Sequence, residues 1–200
     1  MAYPIVSAPY GFKAVNRVDG LPYAGAIRQI PIASNYNTAI YNGDTVVIVN
    51  GGTIQSAGSG AITSGNPVGV FVGCQYVNST GQTVQAQYYP GTSVTSAIAY
   101  VVDDPLAAFK VAVAYANGVV TTVTAAAVGT NMSYNMGTGS TTTGDSGAFV
   151  TAASGANTSS LPFRVIAVVP DTNVTATTFC EVIVKINTHQ YNNPLGTNLS

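Results

Sequence analysis

Charge is what this chain has least of. Only 6% of its 200 residues are Asp, Glu, Lys or Arg, against about a quarter in ordinary soluble domains. Six cations and seven acids leave a net charge of -1, so no long-range field draws in a phosphate backbone or an anionic bilayer surface. Neither nucleic acid nor a membrane is therefore expected as a partner. Long apolar runs are missing too. Gly, Asn and Thr interrupt every hydrophobic stretch well short of the roughly twenty residues that a membrane-crossing helix needs. The first residues, MAYPIVSAPYGFK, have no basic start and no continuous apolar segment, and Pro4 and Pro9 would break a signal helix. With Met1 as the start, synthesis is expected to end in the cytosol.

Residues that carry chemistry are nearly as scarce. One histidine and two distant cysteines have no zinc-ligand spacing, and PDTNVTAT offers one acid where calcium wants several oxygen ligands. GTGSTTTG lacks the glycine spacing and βαβ setting of a dinucleotide site, so no cofactor and no metal are expected. Cys74 and Cys180 lie in apolar, strand-like runs and read as buried thiols rather than a disulfide. Asp103 and Asp104 would point to opposite faces of a strand, so a turn with a helix cap accounts for them better. One string invites an enzymatic reading: Gly144-Asp145-Ser146-Gly147 carries the four letters around the nucleophile of chymotrypsin-like proteases. A triad also needs a base and a carboxylate to orient it. His189 follows Ser146, whereas those proteases run His, Asp, Ser, and Ala148 stands where a further glycine belongs. The string is expected to be a turn framed by Gly144 and Gly147, with Asp145 and Ser146 bonding their own backbone, in a protein that is not an enzyme.

Gly, Thr, Ser and Asn are plentiful, and so are short β-branched runs. AIRQIPIAS alternates at period two, TAIYNGDTVVIVNGG sets two apolar runs around Asn42-Gly43-Asp44, and PVGVFVGCQYV is β-branched and aromatic. Asn-Gly between such runs is a strong hairpin signal. Further strands are expected at QTVQAQYY, AIAYVVD, FKVAVAY, GVVTTVT, FRVIAVVP and FCEVIVKIN. The fold class that follows is all-β, an antiparallel barrel or sandwich. It has at most one or two short helices, at Asp104 to Phe109 and Thr124 to Val128. Residues 129–149, with five glycines and little apolar periodicity, predict a long loop.

Residues 1–31 interleave Pro4, Pro9, Pro22 and Pro31 with Tyr3, Tyr10, Phe12 and Tyr23, which predicts an extended N-terminal arm. Lys13, Arg17 and Arg28 against Asp19 make this arm +2; the other three cations and six acids make the remainder -3. It either forms the first strand of its own domain or docks on a neighbouring subunit. Residues 32–191 are expected to form the β domain, with room for two subdomains, and 192–200 a flexible tail.

The strings APYGFKAVNRVDGLPYAGAIRQIPIAS, TAIYNGDTVVIV, NPVGVFVGCQY, AYVVDDPLAAFKV, GSTTTGDSGA, FRVIAVVP and VKINTHQY follow one another in an order that resembles a family of virion structural proteins of tailed bacteriophages. The resemblance spans nearly the whole chain and rests on that succession. It implies a capsid decoration, or cement, protein on the outer capsid surface, assembled in the bacterial host cytoplasm, whose partners are the major capsid protein and itself as a homotrimer or dimer. It also implies that GSTTTGDSGA is a structural Gly/Thr-rich connection. An origin in a virion released by lysis would reconcile an appendage-like composition with the missing export signal. Contact residues are then expected at Tyr3, Tyr10, Phe12, Lys13, Arg17 and Tyr23 in the arm and Tyr134 and Met136 in the long loop, with core membership the alternative for each aromatic. A second reading is a phage tail or surface adhesin whose exposed Tyr and Asn bind glycans.

Overall fold

In a computed structural model of the protein, residues 5–173 and 178–192 are described; Tyr3 and residues 193–200 of the expected tail lie outside them. Fourteen strands follow in chain order: β1 Lys13–Arg17, β2 Arg28–Ile32, β3 Thr45–Val49, β4 Thr53–Ser56, β5 Ala61–Ile62, β6 Gly69–Asn78, β7 Thr83–Ala86, β8 Val94–Val102, β9 Ala107–Ala114, β10 Asn131–Met132, β11 Tyr134–Asn135, β12 Phe149–Thr151, β13 Phe163–Val168 and β14 Cys180–Ile186. The helical content of the described residues is four 3-10 turns of three residues each. The all-β expectation holds, and Ala125–Ala127 forms a turn inside the stretch expected to be helical.

The first sheet runs β3-β4-β2-β8-β6-β7, and β3 also pairs with β6, so five of its strands close into a small barrel. Alternation builds it. Ala97, Ala99 and Val101 of β8 face inward while Ile98 stays 42% exposed. Ile30, Ile32, Ile40, Val46, Ile54, Phe71 and Tyr89 complete the filling. β6 carries a bulge between Phe71 and Gly73 that bends the strand. One edge of β6 pairs with β8, and the other is shared between β3 at Gly69 and Val70 and β7 at Cys74 to Val77.

The second sheet runs β10-β13-β14-β9-β12-β11-β5, with β1 added on β9. β9 reads AAFKVAVA and is apolar on both faces, the mark of a strand covered on both sides. β14 takes one edge of it, while β1 and β12 divide the other. Pairing is antiparallel except for two short parallel contacts, β2–β4 and β9–β12. Phe12 stacks on Phe163 at 4.4 Å, and Tyr134 meets both rings edge-on at 5.8 and 5.2 Å. Val70 and Val102 of the barrel sheet join this same core, which fixes one sheet against the other.

One open alternative is decided and four expectations need correction. The first is the strand expected at GVVTTVT: those residues form no strand, and Val120 makes a single bridge to Ala114. From Gly11 to Arg17 the arm belongs to its own domain: Gly11 N–H donates to the Ala148 carbonyl, Phe12 N–H to that of Gly43, and β1 pairs with β9. No helix starts at Asp104. Its carboxylate accepts the Leu106 N–H at 2.9 Å, closing a turn, and β9 begins at Ala107 because Phe109, Val111 and Val113 gain more by burial against the second core. Asn42-Gly43 closes no hairpin. Ile40 bridges to Tyr89 instead, and the second Asn-Gly, Asn50-Gly51, makes the tight β3–β4 turn. Finally, residues 129–149 contain β10 and β11, paired segments two residues long and too short for periodicity to reveal. The cysteines are free and buried, as expected; burial pushes the Cys74 thiol up to about 12 and raises that of Cys180.

Candidate functional site: an exposed apolar face over paired charges

The Gly-Asp-Ser-Gly string lies where three segments cross. Asn42 N–H donates to the Gly144 carbonyl, Ser146 N–H to that of Asn42, and Gly43 N–H to that of Phe71. The backbones touch: a Cβ on Gly11 would stand 2.6 Å from the Ser146 Cβ and 2.8 Å from the Gly43 carbonyl oxygen, and Gly11 has φ +81°, so only glycine fits. Ser146 is 2% exposed. Its hydroxyl donates to Asp44 Oδ1 at 2.6 Å and accepts the Ala148 N–H at 2.9 Å. His189 is placed apart from it, beside Asp103 and Val68, with Nδ1 accepting the Tyr191 N–H. Ser146 bonds its own backbone as expected; the Asp145 carboxylate instead reaches Lys13 at 3.1 Å and Gln87 at 3.0 Å.

The expected contact residues divide by burial. Phe12, Tyr134 and Met136 are buried core residues and offer no surface: Phe12 immediately precedes β1, Tyr134 opens β11 and Met136 follows it, and all three fill the second core. Thr45 Oγ1 donates to the Tyr134 hydroxyl at 2.8 Å, which fixes that ring further. Tyr10 is half-buried, and its hydroxyl donates to Glu181, the partner of Lys110 at 3.1 Å. Burial, then the Glu181 hydrogen bond, drive the Tyr10 pKa well above the usual phenol range. Lys13 bridges Asn42 and Asp145. Tyr23 packs on the second core and donates to the Ala26 carbonyl at 2.8 Å.

Arg17 leads to a surface that sequence reasoning missed. Its guanidinium contacts Asp19 at 2.9 Å and Asp104 at 3.0 Å. Arg28 meets Asp103 at 2.7 Å and lies over the Tyr191 ring, whose hydroxyl donates to the same carboxylate at 3.0 Å. Around this network stand exposed Val18, Leu21, Ile27, Leu106 and Tyr191: Val18 N–H donates to the Leu106 carbonyl and Arg17 N–H to that of Leu21, Tyr191 joins through Asp103 and Arg28, and Ile27 precedes Arg28. Asp19 is held below the ordinary carboxylate range by its bond to Arg17. The face is thus apolar, over two cations paired with three carboxylates, which leaves one net negative charge. Its sequence signal was faint: Val18-Asp19-Gly20-Leu21-Pro22 sets apolar residues inside a turn, where they cannot reach a core.

Chemical alternatives have less to stand on. Among the described residues no group of three or more His, Cys, Asp or Glu could hold a metal. A shallow groove of about 390 Å3, lined by Ala125, Val128, Ile166, Val168 and Pro170, contains no charged side chain. Comparison with known proteins places no relative beside the chain: no family model, no curated protein and no solved structure matches it.

Proposed function

We propose that this chain is a structural protein of a phage capsid, a decoration or cement protein that binds the outer shell and bridges capsomers, without enzymatic activity. The observation that carries the reading is the face just described: five large exposed apolar side chains over ion pairs satisfied within the chain. The order of strings along the sequence supplies the phage context. Across the described surface, ion pairs occupy four of the six cations, which leaves little charge to steer a partner. A cement protein acts by differential binding, since a ligand stabilises a state only by preferring it. A symmetric oligomer adds effective concentration once one subunit has docked, so modest apolar contacts suffice, at about 25 cal/mol per Å2 before the costs of association.

Two measurements test this. Raising salt from about 0.1 M to about 1 M shortens the screening length roughly threefold, and the protein is expected to stay on purified shells throughout; stripping by salt alone would refute an apolar contact. Leu21→Asp is expected to weaken attachment at least about tenfold, about 1.4 kcal/mol, with folding stability altered by no more than about 0.5 kcal/mol at so exposed a position. Densitometry of purified virions decides the class. Many copies per particle fit a decoration protein, and a few copies would favour the tail adhesin.

A further inference from the structure

Residues 187–192 leave β14 and strap the second sheet to the barrel. Asn187 N–H donates to the Pro162 carbonyl at 2.7 Å, and Gln190 N–H to that of Pro67 at 3.2 Å. The Gln190 carboxamide then accepts the Ile48 N–H and donates to the Ile48 carbonyl, both at 2.9 Å. It gives β3 at this position what a neighbouring strand would give. Tyr191 fastens the end to Asp103.

At the centre sits His189, 1% exposed. Because Nδ1 accepts the Tyr191 N–H at 3.2 Å, the neutral ring carries its proton on Nε2. Among the described residues Nε2 is the buried side-chain nitrogen or oxygen without a hydrogen-bond partner. A buried donor without an acceptor is costly, and a buried cation there more so. We propose that the 187–192 strap is an acid-released latch, in which protonation of His189 undocks the strap from Ile48 and residues 65–67 while both sheets remain folded.

The groups around the ring set its direction. Burial lowers the His189 pKa below its ordinary value and outweighs what opposes it, the Asp103 and Asp104 carboxylates on the β8–β9 link and the backbone groups of Asp103 and Val68 beside the ring. Asp103 is already engaged by Arg28 of β2 and by Tyr191, and β3 and residues 65–68 carry no titratable side chain. The docked imidazole therefore binds a proton less readily than the released one. The latch holds fully above the released pKa of about 6.5. It weakens as pH falls from there to the lower docked value, by up to about tenfold in the opening constant per pH unit.

Hydrogen exchange of the full chain, read by mass spectrometry and corrected for intrinsic rates, tests this between about pH 7.5 and 5.5. Amides of Ile48 and residues 190–192 should lose protection on acidification while β9 amides keep theirs, and His189→Gln should abolish that pH dependence. Unchanged protection in the native chain, or equal loss in the variant, overturns the latch. Should His189→Gln leave the strap open at every pH, the native imidazole decides by NMR: a midpoint below about 6.5 upholds the proposal, and one at or above that value overturns it.

Discussion

Phe12→Ala is expected to cost about 3–5 kcal/mol of folding stability, lowering the melting temperature by roughly 6–20 °C for a chain of this size. The ring is fully buried, stacked on Phe163 and edge-on to Tyr134. Truncation removes both aromatic contacts and opens a cavity that β9 and β13, paired on both sides, cannot collapse to fill. The backbone bonds of Gly11 and Phe12 and the β1–β9 ladder survive, so the variant should fold and melt cooperatively. Phe12→Leu keeps most of the apolar volume and should cost about 1–2 kcal/mol. Thermal melts at two protein concentrations check the assignment. If the first strand docked on a neighbouring subunit, the loss would depend on concentration; a loss near zero in the isolated chain would show that Phe12 is not core.

That experiment bears on what the sequence could disclose. Period-two alternation in AIAYVV is a local signal, because one buried face per strand is enough to produce it, and the short apolar run in FKVAVA is the local mark of a strand covered on both sides; β8 and β9 lie where these signals point. Pairing partners are a different matter. Thr38–Tyr41 and Thr45–Val49 flank an Asn-Gly and look like two arms of one hairpin, yet Ile40 bridges to Tyr89 and β3 pairs with β4 and β6. The turn dipeptide serves as a close-approach point for Gly11, a demand set by distant chain. The candidate face was hidden for the same reason. Arg17 and Asp104, or Arg28 and Asp103, meet because the β1–β9 and β2–β8 registers bring their ends together. Tyr10, Lys13, Arg17 and Tyr23 were readable as polar or amphipathic groups near the surface. Which residues leading into the first strand turned inward was not, and Phe12, just before β1, is buried.

Ser146→Ala, which deletes a single hydroxyl, is expected to cost about 1–3 kcal/mol at neutral pH. The hydroxyl is the donor to Asp44 Oδ1 and the acceptor for the Ala148 N–H, so its removal strands two buried groups; Asp44 keeps only the Tyr41 N–H at 2.8 Å. Burial already raises the Asp44 pKa, and the Ser146 hydrogen bond pulls it part of the way back. Without Ser146 it must rise further. A carboxyl whose folded pKa exceeds its unfolded value binds a proton more readily in the native state, so its ionisation weakens the fold as pH climbs through the folded pKa. The penalty in Ser146→Ala should therefore be largest at pH 7 and shrink toward about pH 4, as Asp44 takes up a proton and gains an O–H of its own to donate. Asp44→Asn in the Ser146→Ala background should recover part of the loss at neutral pH by removing the charge. Urea denaturation at the two pH values measures this, and a cost independent of pH would show that Asp44 does not feel the hydroxyl. The same variant tests the protease-like letters directly. A side chain committed to two buried partners has no proton poised for an imidazole, so any hydrolytic activity that vanished with Ser146 would overturn the structural role argued for the crossing.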